Sequence, residues 1–321
     1  VTISIIGTGV GLPAREVSND ELTAITGLDT SDQWISTMTG ISSRRICVDE
    51  TATDLATTAA RAALLDAGVQ GEDLDYILCA TIGGDTRTPS LACAVADQIS
   101  ATCAALDVNG ACAGFVYGLD LAASLISAGR ARTILLVCTE KMSAHVDWTD
   151  RNTCVLFGDG AAACVITAGS MLKQIHVGAI PDMTAITMRN RMSGNSPLAP
   201  TRDEPGYVEM DGKRVFKYAV SIMEHEVQRC LDALDLAPDD IDHYVIHQAN
   251  KRIIDFTISR LGLSPDKFPL NIDRYGNISA VSIPLLLHEM RGQGKIHPGD
   301  KLLLCAFGAG MTYGSCVMEW E

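Results

Sequence analysis

The chain has 321 residues, 47% hydrophobic and 20% charged, a composition that fits a well-packed globular protein with two domains or one large layered fold. Its net charge of −14 argues against general affinity for nucleic acid or an anionic membrane surface. No run of about 18 uncharged apolar residues stands out as a membrane span. The eleven cysteines are scattered and include no C-x-x-C pair, so they read as reduced thiols of a cytoplasmic protein, not as a disulfide framework or a metal site.

Residues 1–9 read as a strand, with no signal-peptide pattern before it. Ser31 or Asp32 caps a short helix, and Arg44 and Arg45 make a basic cluster. Thr51 or Thr53 opens a helix that runs to Ala67 and ends at Gly68. Residues 75–81 form a buried strand, and 90–99 an alanine-rich helix. From Asp107 to Gly129 a strand end leads through a small-residue turn into a long apolar helix, with Cys112 at the turn. Unpaired N–H groups give a helix start partial positive charge, so a thiol there is expected to favour the nucleophilic thiolate. Gly110, Ala111, Ala113 and Gly114 are expected to leave room for a substrate beside the sulfur.

A strand over 133–139 follows, then a glycine turn feeding a strand that ends near Thr167. Residues 181–213 have neither helical nor strand period and read as a loop-rich cover for a site. Beyond them the pattern predicts a helix over 215–234, a strand over 243–247 and a helix over 251–261. The turn at Asp273–Ser279 leads into a helix over 280–293, and strands over 301–307 and 314–320 finish the chain.

The two halves repeat with an offset of about 167 residues: Asp73 to Leu78 resembles Asp240 to Val245, and 133–138 resembles 301–306. The repeat implies two similar α/β halves, 1–170 and 171–321, related by a pseudo-twofold axis. The counterpart of the Cys112 turn is the turn at Tyr275, Gly276 and Asn277, so Cys112 and Asn277 are expected to face each other, with His247 at a nearby strand end. Cys, His and Asn in this order also suit a papain-like thiol protease, but the local signature of that family around the cysteine is absent.

Five motifs, around Cys112, Phe157, His247, Asn277 and Phe307, resemble those of the β-ketoacyl-acyl-carrier-protein synthase III family of the thiolase superfamily, in order and along the whole chain. The resemblance implies an α/β five-layered αβαβα thiolase-like fold and a homodimer. It also implies the first condensation of fatty-acid synthesis, or a related condensation that starts a polyketide, a quinolone or another secondary metabolite. A non-catalytic partner subunit would usually lack a member of the triad, and all three are present here. By resemblance, Cys112 accepts an acyl group from acyl-coenzyme A, and the backbone N–H groups of Cys112 and Ala309 form the oxyanion hole. The family usually has glycine at the latter position. His247 and Asn277 then support decarboxylative condensation with malonyl-acyl-carrier protein, and no metal, flavin or nicotinamide is needed. Trp34, Arg151, Phe216 and Asn250 match coenzyme A-binding positions, while Met38 stands where the family often has arginine. Lys213, Arg214, Lys217, Lys251, Arg252 and Arg260 form a basic set suited to an acidic carrier protein, docking resting on Arg214, Lys217, Lys251 and Arg252. Thr88 matches a position that reaches the partner's acyl pocket, where threonine in place of a bulky residue leaves room for branched or medium chains. Six other histidines, His145 among them, match no motif and are expected on the surface or in the core.

Overall fold

The structure is a computed structural model that describes residues 2–189 and 206–321. Five strands form the first sheet: β1 (Thr2–Gly11), β2 (Tyr76–Ala80), β3 (Ala104–Val108), β4 (Thr133–Lys141) and β5 (Asp159–Gly169), in the order β1-β5-β4-β2-β3. The second sheet has β6 (Leu172–Asp182), β7 (His243–Ile246), β8 (Lys301–Gly308) and β9 (Gly310–Glu319), in the order β6-β9-β8-β7. Its pairings follow those of the first sheet strand for strand. Tyr76 lies opposite Ile134 in the parallel β2–β4 pair, and His243 lies opposite Leu302 in the parallel β7–β8 pair. Among the described residues, no strand of the second sheet answers to β3.

Alternation along the strands sets the layers, because successive side chains leave opposite faces. From β4, Ile134, Leu136 and Cys138 enter a central core, and from β8, Leu302, Leu304 and Ala306 enter the same core. That core is filled by α3 (Gly114–Ser127) and α6 (Ser282–Gly292), which lie between the sheets. Leu135 and Val137 face the other way, onto α1 (Ala52–Ala67) and α2 (Leu91–Gln98). Leu303, Cys305 and Phe307 face α4 (Gly212–Leu234) and α5 (Lys251–Leu261). The result is the five-layered αβαβα thiolase-like fold. Strands buried on both faces explain why β4 and β8 are continuously apolar in sequence. Among the described residues, no helix is long and apolar enough to cross a membrane.

Glycines set the spacing of the outer layer. A Cβ on Gly7, Gly9 or Gly11 would sit 2.6, 2.4 or 2.2 Å from backbone atoms of α1, so the alternating glycines of β1 let that helix lie directly on the strand. Thr51 caps α1 with a full capping box, and Gly68 ends it in the left-handed region, as the sequence predicts.

The structure corrects three sequence expectations. β6 was not foreseen, because its half-buried residues do not alternate. The expected loop over 181–213 contains two short paired strands, Ile186–Met188 and Val208–Met210, while 190–205 lie outside the described residues. β4 runs two residues beyond Thr139, so Glu140 lies within a strand and is buried.

Arg44 is fully buried beneath the site. Its guanidinium donates to Asn19 Oδ1 at 2.7 Å and to the Val155 carbonyl at 2.8 Å, and burial pushes its pKa down to about 10. Replacing it leaves two buried acceptors without donors. Arg44→Met is expected to lower unfolding free energy by about 2–4 kcal/mol in denaturant titration; unchanged stability would contradict this bracing role.

Candidate active site

One large cleft, about 1770 Å³, opens at the tips of the two central helices. A pocket for a drug-sized ligand is roughly 300–1,000 Å³, so this one has room for a longer substrate. Cys112, His247, Asn277 and Ala309 all line it. Trp34, Met38, Arg151, Phe216, Asn250 and Arg252 line its outer part.

Cys112 sits in a single 3-10 turn, Ala111–Ala113, that leads into α3. The matching turn in the second half is Ser279–Val281, which leads into α6. The two turns are built alike. Asn109 Oδ1 accepts from Ala111 N at 3.2 Å, and Asn277 Oδ1 accepts from Ser279 N at 2.8 Å. Ala111 and Ser279 both take positive φ, 47° and 49°. These are uncommon angles for residues with a Cβ, each costing about 1–2 kcal/mol. The match refines the predicted correspondence: Asn277 answers to Asn109, and the counterpart of Cys112 is Ala280. Of the small residues around Cys112, Ala111 lines the cleft, while Ala113 and Gly114 act as packing. A Cβ on Gly114 would meet Ala80 and Ala280, and Ala113 is fully buried.

Burial dominates the electrostatics of the cleft floor. Desolvation pushes the Cys112 thiol up to about 12, Ser279 opposes the rise, and the charge of Glu140 adds to it. From an ordinary 9.0 that is about 4 kcal/mol, whereas a helix N-terminus contributes about 0.3–2 kcal/mol. Desolvation therefore works against the thiolate that the helix tip favours. Desolvation also pushes His247 down to about 3, so its ring is neutral. Its Nδ1 lies 2.6 Å from Ser282 Oγ, and its ring meets Phe307 edge-on at 5.4 Å between centroids. Asn277 is held by its backbone, through N–H to the Leu156 carbonyl at 2.8 Å, and its Oδ1 is taken by Ser279. That leaves its Nδ2 donors for the cleft.

The second half closes over Cys112. A Cβ on Gly308 would lie 2.5 Å from the Cys112 backbone nitrogen, and Thr312 Oγ1 donates to the Gly110 carbonyl at 2.8 Å. Ala309 is not among the residues with positive φ; Gly310 takes that conformation instead. Alanine at 309 therefore meets no backbone objection to offering its N–H.

At the mouth, the Arg151 guanidinium stacks 4.9 Å over the Trp34 ring and donates to the Asp29 carbonyl at 2.7 Å. Asn250 caps α5, accepting from Arg252 N at 2.9 Å, while its Nδ2 donates to the Met38 carbonyl at 3.2 Å. Of the basic set, Arg214 pairs with Asp182, Lys251 with Asp255 and Arg260 with Glu224, each at 2.7 Å. Among the described residues, Lys213, Lys217 and Arg252 have no acidic partner. Arg214, Lys217, Lys251 and Thr88 are not part of the cleft wall; Thr88 is exposed in the loop after β2. His145, which no motif marks, does line the cleft. Sequence reasoning missed Gly308, Ser279, Ser282 and Glu140. For Glu140 the signal was an acidic residue continuing an apolar strand. All eleven cysteines are free, and among the described residues no cluster of His, Cys, Asp or Glu could hold a metal ion.

The family profile described as 3-oxoacyl-[acyl-carrier-protein] synthase III matches residues 106–179, and its C-terminal companion matches 231–320. A β-ketoacyl-[acyl-carrier-protein] synthase III from Clostridium acetobutylicum is 42% identical and matches over 99% of each chain. The chain belongs to the 3-oxoacyl-[acyl-carrier-protein] synthase III family. The crystal structure of the Aquifex aeolicus member superposes with a TM-score of 0.92 at 40% identity, covering 99% of this chain and 100% of that one. A priming β-ketosynthase of the R1128 polyketide pathway superposes at 0.90 with 33% identity, covering 99% and 96%.

The close contact between the two halves is a geometric demand that Gly308 meets. Gly308→Ala drives a methyl group into the Cys112 backbone nitrogen. It is expected to lower the rate of Cys112 acylation about 10²–10³-fold, the usual cost of losing one oxyanion donor. Acylation at the unaltered rate, followed by stopped-flow release of free thiol, would show that the contact is slack.

Proposed function

We propose that the protein is a β-ketoacyl-acyl-carrier-protein synthase III that loads an acyl primer from acyl-coenzyme A onto Cys112 and condenses it with malonyl-acyl-carrier protein. The observation that carries this reading is the meeting of a thiol, a neutral imidazole and an oriented amide on the floor of one deep cleft. The N-terminal half, 1–170, supplies the nucleophile, and the C-terminal half, 171–321, supplies His247 and Asn277.

In the first step Cys112 sulfur attacks the thioester carbonyl carbon. The oxyanion lies between the N–H groups of Cys112 and Ala309, and the tetrahedral intermediate expels coenzyme A thiolate. In the second step the malonyl carboxylate leaves as carbon dioxide, and the electron pair moves onto the thioester enolate. Neutral donors suit that oxygen: Nδ2–H of Asn277, and Nε2–H of His247 in the tautomer whose Nδ1 accepts from Ser282 Oγ, a hydroxyl that is also 3.0 Å from the Ser279 carbonyl. The carbanion then attacks the acyl carbonyl and releases Cys112. Apart from the proton that Cys112 gives up, these groups account for each bond change, so the proposed sequence calls for no cofactor.

Trp34 and Arg151 offer flat faces for the adenine of coenzyme A, and Phe216 and Asn250 border the channel that leads inward. Exposed, unpaired Lys217, with Lys213 and Arg252, is the better-supported carrier-docking patch; Arg214 and Lys251 already spend their charge on internal partners. The β3 edge supports a homodimer: Ala104 is exposed and Leu106 is 41% exposed on an otherwise unpaired strand. In that dimer Thr88 reaches the partner's acyl pocket. Eleven unpaired thiols suit a reducing cytoplasm. The relatives at 42% and 41% identity are named β-ketoacyl-[acyl-carrier-protein] synthase III, which favours fatty-acid priming over a secondary-metabolite role.

Peptide mass spectrometry after incubation with acetyl-, isobutyryl- and octanoyl-coenzyme A tests the reading. An acyl adduct is expected on Cys112 and on no other cysteine, with isobutyryl or octanoyl loaded at least as fast as acetyl. No adduct would end the acyltransferase reading, and a strong acetyl preference would end the pocket reading at Thr88. For docking, Lys217→Glu is expected to raise the KM for malonyl-carrier protein about tenfold, with acyl-coenzyme A loading unaltered; equal effects on both half-reactions would remove Lys217 from the docking surface.

A further inference from the structure

The reaction begins with a proton that has no obvious destination. Cys112 must lose one to attack, yet burial holds it as a thiol. His247, the conventional base beside a catalytic cysteine, is desolvated and pushed down to about 3. It is a far weaker base than the task needs.

A different acceptor lies on the other side of the sulfur. Ser279, from the turn before α6, lines the cleft floor together with Cys112 and lies close enough to oppose the rise of the thiol's pKa. Its Oγ–H donates to Glu140 Oε1 at 3.1 Å. Glu140, near the end of β4, is 1% exposed. Its partners are all neutral donors: Ser279, the Ile82 N–H at 3.3 Å on Oε2, and the Thr81 hydroxyl. Among the described residues, no cation pairs with it. A buried carboxyl without a cationic partner is costly to keep charged. Burial accordingly raises its pKa to about 8, which makes it a usable base near neutral pH.

We propose that Glu140, acting through the Ser279 hydroxyl, takes up the proton that Cys112 gives up when it attacks the acyl thioester. This rests on the acyltransferase reading of Cys112. The Sγ–H bond breaks and its proton passes to Ser279 Oγ, while the proton of Ser279 passes to Glu140 Oε1. The sulfur electron pair forms the bond to the carbonyl carbon. Glu140 stays protonated through the acyl-enzyme. When condensation expels the Cys112 thiolate, the same two transfers run in reverse and return the proton to sulfur, so no outside base is consumed. Ser279 is the member of the pair that shares the cleft floor with the sulfur. Glu140 acts through it.

The repeat supplies a conservative variant. Position 111 is alanine at nearly the same positive φ as Ser279, so Ser279→Ala removes the hydroxyl at a backbone angle that alanine already adopts in this chain. The readout is the pH dependence of Cys112 modification, followed by peptide mass spectrometry with two reagents: acyl-coenzyme A and iodoacetamide. In the unaltered protein both rates are expected to climb through about pH 8 and then level off. In Glu140→Gln and in Ser279→Ala they are expected to fall about 10²-fold at pH 7.5 and to keep rising without a plateau up to pH 10, as only hydroxide then removes the proton. Glu140→Asp is expected to restore the plateau in part. A wild-type rate and profile in Glu140→Gln would overturn the relay and leave the acyltransferase reading standing. Parallel loss of uncoupled malonyl-thioester decarboxylation, which needs only His247 and Asn277, would mark a structural role and also overturn the relay. Failure of the unaltered protein to form any acyl adduct would overturn both.

Discussion

Exclusion of water from the tips of the two central helices governs the chemistry of this protein. Desolvation is the largest influence on Cys112, His247 and Glu140. It pushes the thiol and the carboxyl up and the imidazole down, so it drives all three toward their neutral forms. A neutral imidazole is a poor base but a good hydrogen-bond donor to a forming enolate. A neutral thiol survives storage but needs a base close at hand. The division of roles between His247 and Glu140 follows from one physical cause acting on two different functional groups.

Building such a floor requires two helix tips to meet without a gap, and the repeated architecture provides them. Each sheet presents the same strand order, and each feeds a turn with one residue at positive φ into a central helix. The strain at Ala111 and Ser279 is held in place by side-chain acceptors at Asn109 and Asn277. The two tips then diverge in chemistry. One carries Cys112 where the other has Ala280, and one carries the Ser279 hydroxyl where the other has the Ala111 methyl. Similar scaffolds thus bring dissimilar groups into contact across the interface.

Much of this was legible in the sequence, for reasons that differ between elements. α1 could be placed because Thr51 and Gly68 are local signals whose physics does not depend on the rest of the chain. Both β4 and β8 could be placed because burial on two faces leaves a continuous apolar run. The repeat offset brought Cys112, His247 and Asn277 together before any coordinates were considered. β6 could not be found, since it alternates neither in burial nor in polarity. Glu140 was hidden by a strand boundary set two residues short. The thiol's pKa was misjudged because a helix start is visible in sequence and desolvation is not. The Arg214–Asp182 pair was likewise invisible, because Asp182 lies on a distant strand, whereas Lys251 and Asp255 stand four residues apart on one helix, a spacing the sequence does show.

The bond from Thr312 Oγ1 to the Gly110 carbonyl spans 202 residues of sequence. That separation has a meaning for biosynthesis. A nascent chain exposes Cys112 long before the residues that complete its surroundings have been made, and domains fold roughly in the order of synthesis. Until the turn before α6 and strands β8 and β9 dock, the cysteine has no second oxyanion donor, no serine near it and no screen from water. It is then one ordinary thiol among eleven. The acyl-transfer surroundings of Cys112 are therefore completed only at the last stage of folding, and a chain released early carries the nucleophile without them.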